Sequence, residues 1–220
     1  MRQEARYGAI LIAGSAVLLM MAVVHPSAIP FGDRAALARM TLVDAVAHSL
    51  AILGTWLLLV GQVGLSRMLG MQRTVVMAAL VASALPAAGI LVAAALDGFV
   101  IPKIAEEWMR GDDTAHAGLE QLIRLCVLVA SSLTRIYTLL VAVAIMLWSW
   151  VIHRDYLSLG LPWVGGVVGL AGIATLVGGP AYVSVHEVLA MMIGQSVWMV
   201  WAGVLMIRTG GTILDSAGAN

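Results

Sequence analysis

Seven residues of the kind that does chemistry fall at matching positions on apolar stretches of this chain. His25 closes the first stretch, Asp44 and His48 open the second, and Asp97 closes the third; Arg135 lies within the fourth, and His186 and Glu187 open the last. Ionisable groups inside a membrane-spanning segment are costly, so they face a bundle interior or a wet cavity and mark a site. Imidazoles on neighbouring helices are ligands for zinc, copper or iron, or for the iron of haem b. A carboxylate beside them is a further ligand, or fixes the tautomer of one. A guanidinium takes a carboxylate, a phosphate or a haem propionate. His25, His48, Asp97 and His186 are therefore the candidate ligands. Asp44, Arg135 and Glu187 are their acid and anion partners.

Asp44 and His48 are separated by four, so a helix places both on one face. Depth follows from the rise of about 1.5 Å per residue. His25 stands about 17 residues above Gly8, His48 about 17 above Leu65 and Arg135 about 17 above Ile152, or roughly 25 Å each. Asp97, Asp44 and Glu187 come out slightly higher. The polar groups form one layer, and no ionisable residue lies in the inner two-thirds of any stretch. Plainer roles exist for each. His25-Pro26 can simply end a helix, Glu187 suits the positive end of a helix dipole, and Arg135 with Asp97 or Glu187 would be a buried ion pair. His116, in the loop, reads as solvent-facing.

The elements that must position these residues are legible from composition. The 220 residues are 61% hydrophobic and 11% charged, with mean hydropathy +0.99. Soluble domains carry about a quarter charged residues. Six apolar runs, about 8–25, 45–65, 74–99, 127–151, 161–179 and 187–207, are each long enough to cross a bilayer as a helix. They are too long for barrel strands. The expectation is an all-α membrane protein, a single transmembrane domain over 1–220 with a bundle of six transmembrane helices. Arg2, Arg6, Arg67, Arg73, Arg154 and Arg208 fall on one side in short loops, against Arg34, Arg39, Lys103, Arg110 and Arg124 on the other, and the denser bias puts the N and C termini in the cytoplasm. The first run is long for a signal peptide and prolines follow it, so it reads as a retained helix.

The segment 100–126 is the one sizeable loop, with a short interfacial helix near Trp108 and an N-cap at Asp112-Asp113-Thr114. Pro86 bends the third helix. Trp148, Trp150, Trp163, Trp198 and Trp201 read as interfacial anchors. The methionines read as packing residues. Gly165 and Gly169 form a G-x-x-x-G spacing, suited to packing within the bundle or to a homodimer or partner membrane subunit. Equal numbers of acidic and basic residues, 12 each, and no basic stripe argue against nucleic acid. Cys126 is the single cysteine, which excludes internal disulfides. No H-E-x-x-H, G-x-S-x-G, P-loop or Rossmann glycine pattern is present.

His25-Pro26, His48-Ser49-Leu50 and Leu96-Asp97-Gly98-Phe99 together carry a resemblance. Over nearly its whole length the chain resembles a group of small bacterial membrane proteins with about six helices and no assigned activity. The resemblance implies this topology and a multi-pass protein of the bacterial inner membrane, and it names no substrate. Three functions stay open on these residues. The first is a polar pocket in the outer leaflet binding a transition-metal ion or haem, for redox chemistry or sensing. The second is a zinc-dependent intramembrane lipid hydrolase, with Asp97 or Glu187 as general base. The third is a non-enzymatic accessory or structural subunit, or a small-ligand binder.

Overall fold

Backbone groups inside hydrocarbon must bond within their own segment, and every apolar run here does so as helix. The computed structural model of the protein describes residues 3–25, 33–156, 160–178 and 185–217, with backbone alone at 34, 113, 114, 156, 175–178, 185–188 and 210–217. The order is α1 (Gln3–Val24), α2 (Arg34–Leu69), α3 (Thr74–Ala95), a π-helical turn (Leu96–Val100), α4 (Ile101–Trp108), α5 (Asp113–Tyr156), α6 (Gly160–Gly178) and α7 (Val185–Ala217). No strand occurs among the described residues. Five segments are long and apolar enough to cross a membrane: Gln3–Val24, Ala35–Leu69, Thr74–Trp108, Ala115–Asp155 and Leu189–Thr209. Gly160–Ala174 is apolar but shorter.

The helices run past the predicted spans. Asp33 caps α2, its Oδ1 accepting from the amides of Ala35 and Ala36 at 2.9 Å. The predicted loop 100–126 is mostly helix. Pro102 sits in the first turn of α4, where its missing N–H costs least, and Asp112 Oδ1 accepts from the Ala115 amide at 3.0 Å. Trp108 stacks on His116 with ring centroids 4.3 Å apart. The expected solvent-facing His116 thus packs against α4.

The most extensive helix pairs are α1 with α2, α3 with α5, α1 with α7 and α5 with α6. Small residues make this possible. Gly8 approaches the carbonyl of Gly203, and Gly14 lies against the backbone of α2 near Leu58. Because Gly8 meets Gly203, the start of α1 and the last turns of α7 lie at the same end of the bundle. The outward faces carry large apolar side chains such as Leu42, Leu85, Val167 and Leu170, each more than 60% exposed. A surface of that character suits lipid rather than water.

Two of the five tryptophans read as anchors are instead core. Trp148 and Trp198 are fully buried and stacked, centroids 6.1 Å apart. The indole of Trp148 donates to Ser66 Oγ at 3.1 Å, and that of Trp198 to Ser149 Oγ at 3.0 Å. These bonds satisfy the polar edges that burial would otherwise strand. Trp150, Trp163 and Trp201 do face outward. The Gly165 and Gly169 face is also interior. A Cβ at Gly165 would overlap Ser149 and Trp198, and one at Gly169 would overlap Met146. That face lies against α5 of the same chain, the packing within the bundle that the spacing also suits.

Candidate metal centre

Three elements bring the ligand-bearing residues together at the end of the bundle away from Gly8 and Gly203. His25 follows the last turn of α1, its amide still bonded to the Met21 carbonyl at 3.0 Å. Asp44 and His48 lie one turn apart on α2, and both are buried. Asp97 is presented by the π-helical turn, in which the Ile101 amide bonds back to the Leu96 carbonyl. Pro102 accounts for that turn: it cannot donate to the carbonyl four residues earlier, and its ring crowds that position. Widening the helix by one residue relieves the clash, and such π turns recur at functional sites. Gly98 completes the fit, since a side chain there would overlap the imidazole of His48.

His48 Nδ1 lies 2.9 Å from the Asp44 carbonyl oxygen. A carbonyl only accepts, so Nδ1 carries the proton and Nε2 points the other way. Asp44 Oδ1 lies 3.1 Å from the same Nδ1, in ion-pair contact, yet accepts no well-formed hydrogen bond. On the far side of the ring, His48 Nε2 is 3.3 Å from Asp97 Oδ2. His25 Nε2 is also 3.3 Å from that oxygen. The two rings meet edge to face, centroids 5.0 Å apart and planes at 65°. His25, Asp44 and His48 offer donor atoms all within 4.8 Å of one another, a group able to hold a metal ion. Two carboxylates thus flank two imidazoles, and no lysine or arginine is paired with either carboxylate among the described residues.

The distances are compatible with a shared metal ion as well as with a hydrogen-bonded pair, His25 Nε2 and Asp97 Oδ2 lying within hydrogen-bonding reach. Charge-assisted N–H···O bonds close to about 2.7–2.9 Å. Two ligand atoms about 2.05 Å from a tetrahedral zinc stand about 3.3 Å apart. The arrangement does not fit haem. Bis-imidazole ligation needs the macrocycle between the two rings, with their nitrogens facing across the iron. Here the rings touch, and both Nε2 atoms turn to one carboxylate oxygen.

Behind the cluster lies a cavity of about 300 Å³ whose wall includes His25, His48 and Asp97. Arg135 is absent from that wall, although Thr134 and Thr138 belong to it. The carboxylate of Asp97 is met by imidazoles instead of by Arg135. The side chains of His186 and Glu187 lie outside the described residues. The cavity wall also holds neutral polar residues that depth counting passed over, among them Thr55, Tyr137, Gln195 and Ser196. Their signal was available in part, because His48, Thr55 and Gln62 recur every seven residues on α2 and all are buried. No family model, curated protein or solved structure matches the chain.

Proposed function

We propose that this multi-pass membrane protein holds a divalent transition-metal ion, zinc by its donor set, between His25 Nε2, His48 Nε2 and Asp97 Oδ2. The single observation that carries the reading is the convergence of both Nε2 atoms on one carboxylate oxygen at 3.3 Å. Asp44 acts on the other side of His48, where its carbonyl holds the proton on Nδ1 and frees Nε2 to bind. A dication also offsets the two carboxylates packed around neutral imidazoles in a low-dielectric setting.

Three protein ligands leave a fourth position open, where a zinc ion binds and polarises an oxygen ligand. His25 and Asp97 are part exposed and His48 is buried. The same reading places both termini in the cytoplasm and the centre in the outer leaflet of a bacterial inner membrane. Its support is the clustering of Arg67, Arg73 and Arg154 at the bundle end that carries Gly8 and Gly203.

Elemental analysis and zinc titration of the detergent-purified protein test the proposal. The wild type should retain zinc through gel filtration, and His48→Ala should weaken binding at least about 100-fold. His116→Ala, remote from the cluster, should bind as wild type. Equal zinc affinity in the wild type and His48→Ala would overturn the assignment.

A further inference from the structure

We infer that the cavity behind the centre takes a single-chain carboxylate of about ten non-hydrogen atoms, its head at His25, His48 and Asp97 and its tail against Leu58, Val141 and Met199. The head position rests on the metal-centre reading above. The tail position rests on the cavity alone.

The cavity changes character with depth. On α2 its wall runs from His48 to Leu58, and on α7 from Leu189 to Met199. Ten residues of helix span about 15 Å. On α5 the wall ends at Val141. The mouth is therefore imidazole and carboxylate, and the deepest level is Leu58, Val141 and Met199. Thr55 and Gln195, somewhat above that level, give one height of the wall hydrogen-bonding groups where an oxygen on the chain is tolerated. A ligand polar at one end and apolar at the other matches this order.

Beneath the floor the bundle is closed. Gln62 is buried, accepts from Ser83 Oγ and contacts Met199 Sδ at 3.9 Å. Ser66 and Trp148, bonded to each other, lie further along α2 and α5 than Leu58 and Val141, and Trp198, next to Met199 on α7, bonds to Ser149 on α5. A packed floor suits a ligand that is held over one that passes through. The cavity's size limits the length of the ligand, and the polar mouth and apolar floor limit its class. About 300 Å³ at ~30 Å³ per water-sized group holds about ten such groups. Octanoate has eight carbons and two oxygens. Its carboxylate would occupy the open coordination position, and its chain would replace water along the apolar wall.

The test uses the full chain in lipid nanodiscs, zinc-loaded, with an octanoic acid bearing a diazirine at its far end. After irradiation, cross-linked peptides should contain Leu58, Val141 or Met199. Excess octanoate should reduce this labelling about tenfold, and equal acetate should leave it unchanged. Leu58→Trp, which fills the floor, should reduce it similarly while zinc content stays at the wild-type level. Val141→Phe serves the same purpose if Leu58→Trp does not fold. Adducts confined to outward positions such as Leu42 and Trp56, or labelling indifferent to octanoate and to both fillings, would overturn the inference. Floor labelling without zinc would keep the tail assignment and remove the metal centre. Zinc binding without floor labelling would do the reverse.

Discussion

His48 has each ring nitrogen committed to a different partner, and the two sides of the ring do different work. Nδ1 is tied to the Asp44 carbonyl, with the Asp44 carboxylate alongside, and Nε2 is left to meet Asp97 and whatever His25 also binds. Asp44→Asn keeps the carbonyl contact but removes the negative charge that raises imidazole basicity. It should lower zinc affinity about 10–100-fold, read by competition with a chromophoric chelator. Protons compete with the metal for both imidazoles, so zinc affinity should fall as pH is lowered. The His25→Ala variant should show a shallower fall, having one fewer proton to displace. At this scale the sequence was informative. Residue type and helical depth singled out His25, Asp44, His48 and Asp97, whose side chains the structure places in contact. Arg135 stood at the same depth by the same arithmetic but is not among the residues lining the cavity, because depth says nothing about the direction around a helix axis.

At the scale of elements, the π-helical turn is what aims Asp97. Its cause is written in Pro102, but the same proline could equally have ended a helix. Only packing against α2 decides between the two outcomes, since the widened turn is kept where Gly98 lies against His48. Gly98→Ala separates local propensity from the site. Alanine favours helix over glycine by about 1 kcal/mol, so the variant should stay fully helical by circular dichroism. Its Cβ would nevertheless displace the His48 ring, and zinc affinity should drop about tenfold. Unchanged affinity would show that Asp97 is not positioned by this contact.

For the whole molecule, the bundle depends on small residues that let helices close on one another. Gly165 and Gly166 are neighbours on α6 with opposite surroundings. A Cβ at Gly165 overlaps Ser149 and Trp198, while Gly166 has nothing within 4 Å. Gly165→Leu should therefore lower thermal stability in detergent, overpacking costing about 1–3 kcal/mol or more. Gly166→Leu should leave it near the wild-type value. Both should keep zinc affinity within about twofold, because the glycine face lies against the deep half of α5 and α7 and not at the centre. If both variants were equally stable, the α5–α6 contact would not be what holds α6 in place.

Composition and run length alone determined that this chain is a bundle of apolar helices, because a bilayer admits few other solutions and five of its segments are long and apolar enough to cross one. Helix rise singled out which ionisable residues share a height. Rotation about each helix axis was left to the tertiary structure. It sent Asp97 to two imidazoles, took Trp148 and Trp198 from the interface into the core, and turned the Gly165 face toward α5. Height along a helix follows from counting residues, but azimuth is fixed only when neighbouring side chains compete for the same space.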